Sequence, residues 1–345
     1  MRILNWNIEW MNNWFSGNAE PVWGSKLAPD DPGSLWPDEA REVAGRVARV
    51  IGNIAPDLIC LQEGPSAIQE MGLFITDFLD DNYEALIAAD GGAQKMYVLR
   101  RKDGGIAAMD YATDEVTRAL QIPWDADVNG DMMLEAYDFT RLPLVVDIDP
   151  IGSAPVRVAV MHAKSKYVHN GQAKYLDPAT RQSFIVEALE ARRRISAEGF
   201  MMRTYLDALV ANDPEARVVV AGDLNDGPGS DLFERHYLTH NLTDILLGST
   251  FYPDLLFDHP LLRHVETPSL FTARFDDFID GVQDRPLLLD HFLVSPGLKS
   301  HVSNARIAHE IFDAEVEGSG RRRTERPSDH RPIWLDLDGP LAAMV

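Results

Sequence analysis

Residues 218–228 read VVVAGDLNDGP, the stretch that most clearly defines the fold. Four consecutive small apolar residues predict a strand that is buried on both faces, as in the interior of a sheet. The strand leads directly to Asp223 and Asn225, which lie two positions apart and so share one face of an extended backbone. Turn chemistry explains the Asp226-Gly227 pair that follows, but it gives less reason for the Asp-Leu-Asn alternation. The stretch therefore predicts a central strand with an acidic and an amide side chain at its carboxyl end.

Further apolar runs of strand length occur along the whole chain, each bounded by turn or polar residues. Helical patterns lie between them: one follows Trp36-Pro37, and another begins at Asp177-Pro178 and is bent or broken near Gly199. Turn residues at Gly104-Gly105 and Gly152-Ser153 predict hairpins. The mixed spacing of strands and helices predicts an α/β sandwich rather than a regular βαβ array. The predicted strands are 2–6, 57–61, 97–100, 142–148, 156–161, 217–221, 287–294 and 333–337.

The composition is typical of a folded globular enzyme. With 345 residues and 45% hydrophobic side chains, the chain can bury a large core. No internal repeat or Pro/Gly/Ser-rich linker divides it, so residues 1–345 are predicted to form a single catalytic domain. The only cysteine, Cys60, lies in an apolar run, which indicates a buried small hydrophobe and excludes an internal disulfide.

The sequence shows no apolar signal segment at its start and no uncharged apolar run of about 18 residues. We therefore expect a cytoplasmic protein without a membrane-spanning segment. Nothing in the sequence indicates a protein partner or an oligomeric state.

Three other strand ends carry polar groups of the kind that bind metal ions or move protons. Asn7 ends the first predicted strand, Glu63 ends the second, and the pair Asp329-His330 precedes the last. Each also has a purely structural interpretation, as a strand-terminating turn, the start of a loop and an exposed loop pair. Hard divalent cations prefer oxygen ligands, and an Asp beside a His offers a ligand and a general acid or base. The strand ends together predict one polar site.

In this order the segments resemble the endonuclease/exonuclease/phosphatase superfamily, which includes apurinic endonucleases, pancreatic-type deoxyribonucleases, neutral sphingomyelinases and inositol polyphosphate 5-phosphatases. Two more segments fit: residues 160–166, VMHAKSK, match the central histidine strand of the family, and residues 289–295, LDHFLVS, match its Asp-aromatic strand. The resemblance covers residues 2–337. It implies a four-layered α/β sandwich, in which two mixed β-sheets pack face to face with helices outside.

The resemblance also implies a divalent cation as cofactor, Mg²⁺ or alternatively Mn²⁺. Glu63 matches the principal metal ligand of the family, with Asn7 and Asp329 near the same ion. The chemistry of these residues agrees, because carboxylate and amide oxygens suit a hard cation.

Five residues match the catalytic groups of the family. Asp223 would orient the attacking water, and Asn225 would donate to the phosphoryl oxygens. His330, held by Asp290, would contact the phosphate or transfer a proton, while His162 would bind or protonate the phosphoester from the other side. Donors that offset charge on phosphorus, with a carboxylate that positions water, suit in-line attack without a covalent enzyme intermediate.

The chain departs from the family pattern at several positions. Glu9 follows Asn7-Ile8, Met161 and Ala163 flank the central histidine, and His291 stands where the family often has Tyr. No predicted catalytic group is lost. The departures do place the chain away from the best-known branches, so the substrate does not follow from the resemblance.

The distribution of charge bears on the substrate. The chain has 54 acidic and 32 basic residues and a net charge of -22, which repels polyanions unless positive charge is gathered locally. Two clusters near the predicted site offer such charge, and we expect them to bind substrate phosphates. The alternative is that the arginines offset Asp313, Glu315 and Glu317 in a solvated loop. The predicted phosphate-binding residues are Lys164, Lys166, Arg321, Arg322 and Arg323.

Two stretches, 12–38 and 312–328, are predicted to be long loops, which in compact domains are usually functional or mobile. Aromatic residues in and next to the first loop have three possible uses. They could stack on bases, touch lipid or pack the loop against the protein. These residues are Trp10, Trp14, Phe15 and Trp23.

Three functions remain open. The first is a metal-dependent phosphoester hydrolase of the nuclease type, because a basic rim suits a polynucleotide. The second is a phosphatase or phosphodiesterase for a small or lipid-linked phosphoester, which needs only local positive charge. The third is a binding protein that keeps the fold without catalysis; it ranks last because every central group is present.

Overall fold

The computed structural model describes residues 1–28, 31, 33–89, 92–228 and 231–338. Residues 339–345 of the predicted domain and residues 29, 30 and 32 of the predicted loop 12–38 lie outside the described residues. The described strands are β1 (Arg2–Asn7), β2 (Leu58–Gly64), β3 (Tyr83–Ile87), β4 (Lys95–Arg101), β5 (Ile106–Tyr111), β6 (Trp124–Ala126), β7 (Glu135–Tyr137), β8 (Leu144–Pro150), β9 (Val156–His162), β10 (Val218–Asp223), β11 (Ala273–Asp277), β12 (Val282–Leu287), β13 (Asp290–Val294), β14 (Val302–Ile307) and β15 (Ile333–Leu337). The described α-helices are α1 (Pro37–Ile54), α2 (Ile68–Phe78), α3 (Glu115–Arg118), α4 (Gly171–Leu176), α5 (Arg181–Asn212), α6 (Leu232–Tyr237), α7 (Leu242–Leu247), α8 (Pro260–His264), α9 (Pro296–Lys299) and α10 (His309–Asp313).

Two large mixed sheets form the centre of the structure. The six-stranded sheet has the order β14-β15-β1-β2-β4-β3, and the five-stranded sheet has the order β13-β10-β9-β8-β5. Strands β1 and β2 run parallel in the first sheet, as do β9 and β10 in the second. Each parallel pair brings two carboxyl ends to the same edge of its sheet. Strands β1 and β2 also contact β10 across the sandwich, so the two edges meet.

The two sheets pack face to face through a core of fully buried apolar side chains that includes Ile3, Val158, Val219 and Leu335. Cys60 lies in this core with no solvent exposure, as the sequence predicts. Helices α1 and α2 cover the outer face of the six-stranded sheet. Helices α5 and α7 cover the outer face of the five-stranded sheet. The predicted four-layered sandwich of two mixed sheets with helices outside is confirmed.

Three local predictions need correction. Gly104-Gly105 does not form a hairpin, because β4 and β5 on either side of it belong to different sheets. The predicted strand 287–294 is divided between β12 and β13. The Asp177-Pro178 pair does not begin the long helix; Asp177 ends α4, and α5 starts at Arg181.

Helix α5 also passes through Gly199 without the predicted break. A Cβ at Gly199 would lie 2.4 Å from Leu242 Cδ1, so the glycine allows α7 to pack closely against α5. Among the described helices, none is both long enough and apolar enough to cross a lipid bilayer.

Strands β9 and β10 come unusually close at Gly222, which pairs with Met161. A Cβ on Gly222 would lie 2.0 Å from the Met161 carbonyl oxygen, a distance at which the backbone must shift. The next residue on each strand is His162 or Asp223, so the close approach sets the spacing of these two side chains.

We expect Gly222→Ala to lower the free energy of unfolding by roughly 1–3 kcal/mol, because it overpacks a contact between two backbones. Gly52→Ala is the matched control: Gly52 is exposed within α1 and a Cβ there would meet nothing within 4 Å. That variant should be stabilised by roughly 0.5–1 kcal/mol through helix propensity. Urea unfolding measures both; equal stabilities of the Gly222→Ala variant and the parent would contradict the expectation.

Candidate active site

Eight predicted site residues converge at the edge where the two sheets meet. Asp223 at the end of β10 lies beside His162 of β9 on one side and Asp290 of β13 on the other. This edge forms the floor of a cleft with a volume of about 1560 Å³. Asp290 lies behind the cleft surface, and the other seven line it. The seven are Asn7, Glu63, His162, Asp223, Asn225, Asp329 and His330.

The Asn7 amide connects the two sheets. Its Nδ2 donates to Asp223 Oδ2 at 2.9 Å and to Glu63 Oε1 at 3.3 Å. Its Oδ1 accepts from the backbone N–H of Glu9 at 3.0 Å. In this arrangement Asn7 presents its NH₂ group to the carboxylates and its oxygen to the backbone. The side chain is therefore a donor that orients two carboxylates.

Asp223 is buried and has no lysine or arginine within ion-pair distance among the described residues. Burial raises its pKa to about 7, against the opposing effect of His330. Its Oδ1 accepts from the Asn225 backbone N–H at 2.8 Å, a contact that helps to fix the orientation of the carboxylate. A carboxylate with a pKa near neutrality is suited to accept a proton from water.

His330 and Asp290 form a buried pair behind Asp223. His330 Nδ1 lies 2.7 Å from Asp290 Oδ2, and its Nε2 lies 4.0 Å from Asp223 Oδ2. Burial by itself lowers the pKa of His330, but the carboxylates of Asp290 and Asp223 raise it well above the ordinary value. The imidazole is thus held charged and oriented, with Nε2 facing the cleft.

His162 has the opposite electrostatic character. Its Nε2 lies 3.8 Å from both Glu63 Oε1 and Asp223 Oδ2. Burial lowers the pKa of His162 well below the ordinary value, and the charges of Arg141 and His330 add to the effect. A neutral imidazole donates a hydrogen bond from one ring nitrogen and accepts one at the other, but it carries no positive charge.

Arg141 lines the same cleft and was missed at the sequence level. It lies three residues before β8, and its Nη1 donates to the Ala163 carbonyl at 3.3 Å. Burial lowers its pKa, while Glu63 and Asp223 act in the opposite direction. No carboxylate of the described chain lies within ion-pair distance of it. A lone Arg before a strand carries little signal, so only the fold reveals this cation.

The residues around Glu63 fit a divalent cation. The described hydrogen-bond donors to this carboxylate are neutral: Trp10 N–H at 2.9 Å, Gln94 Nε2 at 2.7 Å and the Asn7 amide. Burial raises the pKa of Glu63, the Trp10 N–H opposes the rise, and the charge of Asp329 adds to it. Glu63 and Asp329 have no lysine or arginine within ion-pair distance among the described residues. Such a pair of carboxylates is stabilised when a hard cation binds between them.

A second acidic group could be read as a metal site, because ligand atoms of Asp223, Asp290 and His330 lie within 4.8 Å of one another. Asp290 argues against that interpretation, because it is fully buried and does not line the cleft. Its Oδ2 is already hydrogen-bonded to His330 Nδ1 at 2.7 Å, so it does not offer a ligand atom to an ion in the cleft. Glu63 and Asp329, which both line the cleft, are therefore the better candidates to hold a cation.

Most of the predicted phosphate-binding residues lie away from the cleft. Lys166 lines it, but its ammonium group is paired with Asp226. The other four, Lys164, Arg321, Arg322 and Arg323, are not among its lining residues. The alternative interpretation of the arginine cluster holds for one acidic residue of that loop: Asp313 pairs with Arg331, which belongs to the same basic stretch. The other two have partners outside it, since Glu315 pairs with Arg49 and Glu317 with Arg46.

The aromatic residues of the early loop divide into two groups. Trp14, Phe15 and Trp23 are buried against α1 and α2, so three of the four pack the loop onto the protein. Trp10 is 55% exposed and lines the cleft next to Glu63. Only Trp10 is placed to contact a ligand.

Comparisons with known proteins agree with the fold. The model of the Endonuclease/Exonuclease/phosphatase family matches residues 4–330. The fold is similar to that of a 3'-5' exonuclease, NExo, from Neisseria meningitidis, with a TM-score of 0.52, 16% identity and coverage of 98% of this chain and 100% of that chain. It is also similar to a mannosyl-6-phosphatase from Bacteroides thetaiotaomicron, with a TM-score of 0.53, 12% identity and coverage of 98% and 100%. A third similar structure is that of a humanized TDP2 of D. rerio, with a TM-score of 0.52, 13% identity and coverage of 98% of this chain and 99% of that chain. A search of curated proteins finds no match.

His291, where the family often has Tyr, belongs to a buried pair of histidines beside the site. His291 Nε2 lies 2.7 Å from the Asp226 carbonyl oxygen and so must carry the proton that it donates. Its Nδ1 then accepts from His259 Nε2 at 2.8 Å. Both rings are neutral in this arrangement. Burial lowers the pKa of His259 to about 3 and also lowers that of His291.

We expect this pair to make the folded state sensitive to mild acid. In the unfolded chain His259 has an ordinary pKa of about 6.5 and takes up a proton below that pH, whereas folded His259 stays neutral until about pH 3. The contribution of His259 to the free energy of unfolding is therefore complete above about pH 6.5, and it is lost as the pH falls from there toward 3. From pH 7 to pH 5 the wild type should lose about 2 kcal/mol more than His259→Gln, which keeps a donor for His291 but does not titrate. Urea unfolding at both pH values measures the difference; parallel losses would contradict the interpretation.

Proposed function

This chain belongs to the endonuclease/exonuclease/phosphatase family, and on that premise we propose that it is a divalent-metal-dependent phosphoester hydrolase. Mg²⁺ is the first candidate for the cofactor and Mn²⁺ the second. The observation that carries the proposal is the buried Asp223 carboxylate, with a pKa of about 7 and the charged His330 beside it. The predicted organisation of residues 1–345 as a single catalytic domain is part of the same proposal.

The cation site would consist of Glu63 and Asp329. When bound, the cation would offset charge on the phosphoryl group and favour attack by water. Asn7, predicted from the resemblance as a third ligand, has its oxygen directed to the Glu9 N–H and its NH₂ group to the two carboxylates. We therefore assign it the role of orienting Glu63 and Asp223.

The remaining residues supply acid–base and electrostatic functions. Asp223 accepts a proton from water as the water oxygen bonds to phosphorus and the ester P–O bond breaks. His330, held charged by Asp290, faces the developing negative charge and can protonate the leaving oxygen. Neutral His162 donates a hydrogen bond to a phosphoryl oxygen from the other side of Asp223.

Two further groups complete the phosphate site. The Asn225 amide donates to the Ala163 carbonyl at 3.1 Å and has only a long 3.4 Å contact with Asp223 Oδ2, so one amide hydrogen is available for a phosphoryl oxygen. Arg141 supplies a guanidinium group whose charge has no described carboxylate partner within ion-pair distance.

The charge of the cleft favours a compact phosphoester, which the sequence ranks second, over a polynucleotide, which it ranks first. Three of the four basic residues in the cleft lining are paired with carboxylates of the same lining: Lys166 with Asp226, Arg192 with Asp231, and Arg285 with Asp277 and Asp280. Among the described lining residues, Arg141 and the charged His330 are left to offer positive charge to a substrate. A nuclease remains the second candidate, because exposed Trp10 and Phe275 could stack bases along the cleft.

We expect purified protein to hydrolyse bis(p-nitrophenyl) phosphate or a p-nitrophenyl monoester with Mg²⁺ or Mn²⁺, and to lose this activity in EDTA. Asp223→Asn should reduce kcat at least about 100-fold, because it removes the proton acceptor at nearly constant shape. Asp125→Asn, an exposed position in β6, is the control and should behave as the wild type. Failure to hydrolyse any phosphoester with either ion would refute the proposal and favour the binding protein.

The substrate class is tested by a panel of single- and double-stranded DNA, RNA, a lipid-linked phosphodiester and small phosphoesters. We expect kcat/KM to be highest for a small or lipid-linked substrate. Any activity on DNA should rise between about 50 and 200 mM salt, because screening weakens repulsion by the acidic chain. Arg321→Ala with Arg322→Ala should leave KM unchanged. DNA activity that is preferred and falls with salt would instead support the nuclease.

A further inference from the structure

The segment that follows β1 has an unusual backbone. Glu9 and Trp10 have φ values of 49° and 56°, in the left-handed region, and neither is a glycine. Such conformations cost energy and persist only where the surroundings hold them. The contacts that hold this segment come from residues 323 and 326, in the loop before β15.

The side chain of Arg323 makes those contacts. Its Nη2 donates to the Ile8 carbonyl at 3.0 Å and its Nε donates to the Glu9 carbonyl at 3.2 Å. Its Nη1 donates to the Arg326 carbonyl at 2.9 Å. Only 12% of the side chain is exposed, and the guanidinium lies 5.5 Å from the centre of the Trp14 ring. One buried guanidinium thus binds two successive peptide groups after β1.

The opposite side of each peptide group faces the active site. In a trans peptide the C=O and N–H bonds point in opposite directions, and the described chain has no cis peptide bond. The peptide whose oxygen is Ile8 O has its N–H on Glu9, which donates to Asn7 Oδ1 at 3.0 Å. The peptide whose oxygen is Glu9 O has its N–H on Trp10, which donates to Glu63 Oε2 at 2.9 Å.

We propose that Arg323 is a positioning residue that orients the Asn7 amide and the Glu63 carboxylate through the two peptide groups between Ile8 and Trp10. With Asn7 Oδ1 occupied by the Glu9 N–H, its NH₂ group must face Glu63 Oε1 and Asp223 Oδ2. With Glu63 Oε2 occupied by the Trp10 N–H, Oε1 is the oxygen turned toward Asn7 and His162. The inference rests on the proposed function, in which Glu63 holds the cation.

Glu9 and Arg326 stabilise Arg323 in its buried position. Arg326 Nη2 and Nε lie 2.6 and 3.2 Å from the two Glu9 carboxylate oxygens, and Arg323 Nε lies 3.6 Å from Glu9 Oε2. A buried guanidinium is tolerated when a carboxylate offsets its charge. Glu9, Arg323 and Arg326 thus form a buried triad. The triad explains why two arginines of the cluster, Arg323 and Arg326, are directed into the protein, whereas the Arg322 side chain is 83% exposed.

The planar guanidinium is essential to the arrangement. It presents donors in a fixed fork that reaches three carbonyl oxygens at once, whereas a lysine has a single nitrogen on a flexible stem. Arg323→Lys keeps the positive charge beside Glu9 and should allow folding, but it cannot hold both peptide groups. Arg322→Lys is the matched control, because it makes the same change one residue away on an exposed side chain.

The first measurement is amide hydrogen exchange in metal-free protein, which does not depend on catalysis. Arg323→Lys should raise the exchange rates of the Glu9 and Trp10 amides at least 10-fold, with the interior of β1 and β2 unchanged. The second is the Kd for Mn²⁺ alone, which should rise 10-fold or more, in the range found when partners that orient metal ligands are removed. The third is turnover of a small phosphoester, in which kcat should fall with KM nearly constant. Arg322→Lys should match the wild type in all three.

The outcomes separate this inference from the proposed function. Wild-type exchange, Mn²⁺ affinity and kcat in Arg323→Lys would overturn the positioning role while the hydrolase proposal stands. Exchange that rises throughout both sheets would also overturn it, since Arg323 would then support stability in general. If the wild type neither binds Mn²⁺ nor hydrolyses phosphoesters, but only the Glu9 and Trp10 amides lose protection in Arg323→Lys, the orientation through the backbone is supported and the proposed function fails.

Discussion

The Asp223 carboxylate is buried where the two sheets meet, so it has lost most of its hydration. Hydrogen bonds and the positive charge of His330 compensate for that loss. Asn7 reaches it from the opposite sheet, and His330 faces it with an imidazole that Asp290 keeps charged. These groups come from three strands of two sheets and from the loop before β15. The sandwich must therefore close accurately before the site exists, and the close backbone approach at Gly222 is one of the contacts that sets this accuracy.

Backbone groups as well as side chains hold the polar groups of the site. The N–H groups of Glu9, Trp10 and Asn225 bond to site side chains, and all three residues have positive φ values. Glu63 has a positive φ as well. Strained backbone of this kind clusters where side chains must be fixed in orientation, because the energy is recovered through contacts elsewhere. The buried triad of Glu9, Arg323 and Arg326 supplies such contacts behind the site.

The net charge of -22 is reflected in how basic side chains are used. Many described arginines form ion pairs that join elements of the fold, such as Arg157 with Asp114 and Asp147. In the cleft, Lys166, Arg192 and Arg285 are paired with neighbouring carboxylates. Besides the charged His330, the described part of the cleft therefore has one arginine without a carboxylate partner, Arg141, within acidic surroundings. That distribution is suited to a single phosphoryl group and poorly suited to a long polyanion.

The sequence by itself determined the strands that border polar residues. An apolar run followed by Glu63 or Asp223, or preceded by Asp329-His330, is a local pattern set by hydrophobic burial and turn chemistry. The mixed spacing of strands and helices predicted an α/β sandwich, and the family resemblance carried by the order of the segments implied its four layers. What the sequence could not determine is which charges face each other. Arg141 lines the cleft, and Arg323 donates to the backbone after β1 instead of lying with its sequence neighbours at the surface. Both placements result from packing between segments far apart in the chain. Charge clusters are read from neighbours in sequence, whereas electrostatic interactions depend on distances in space, and only the tertiary structure decides those.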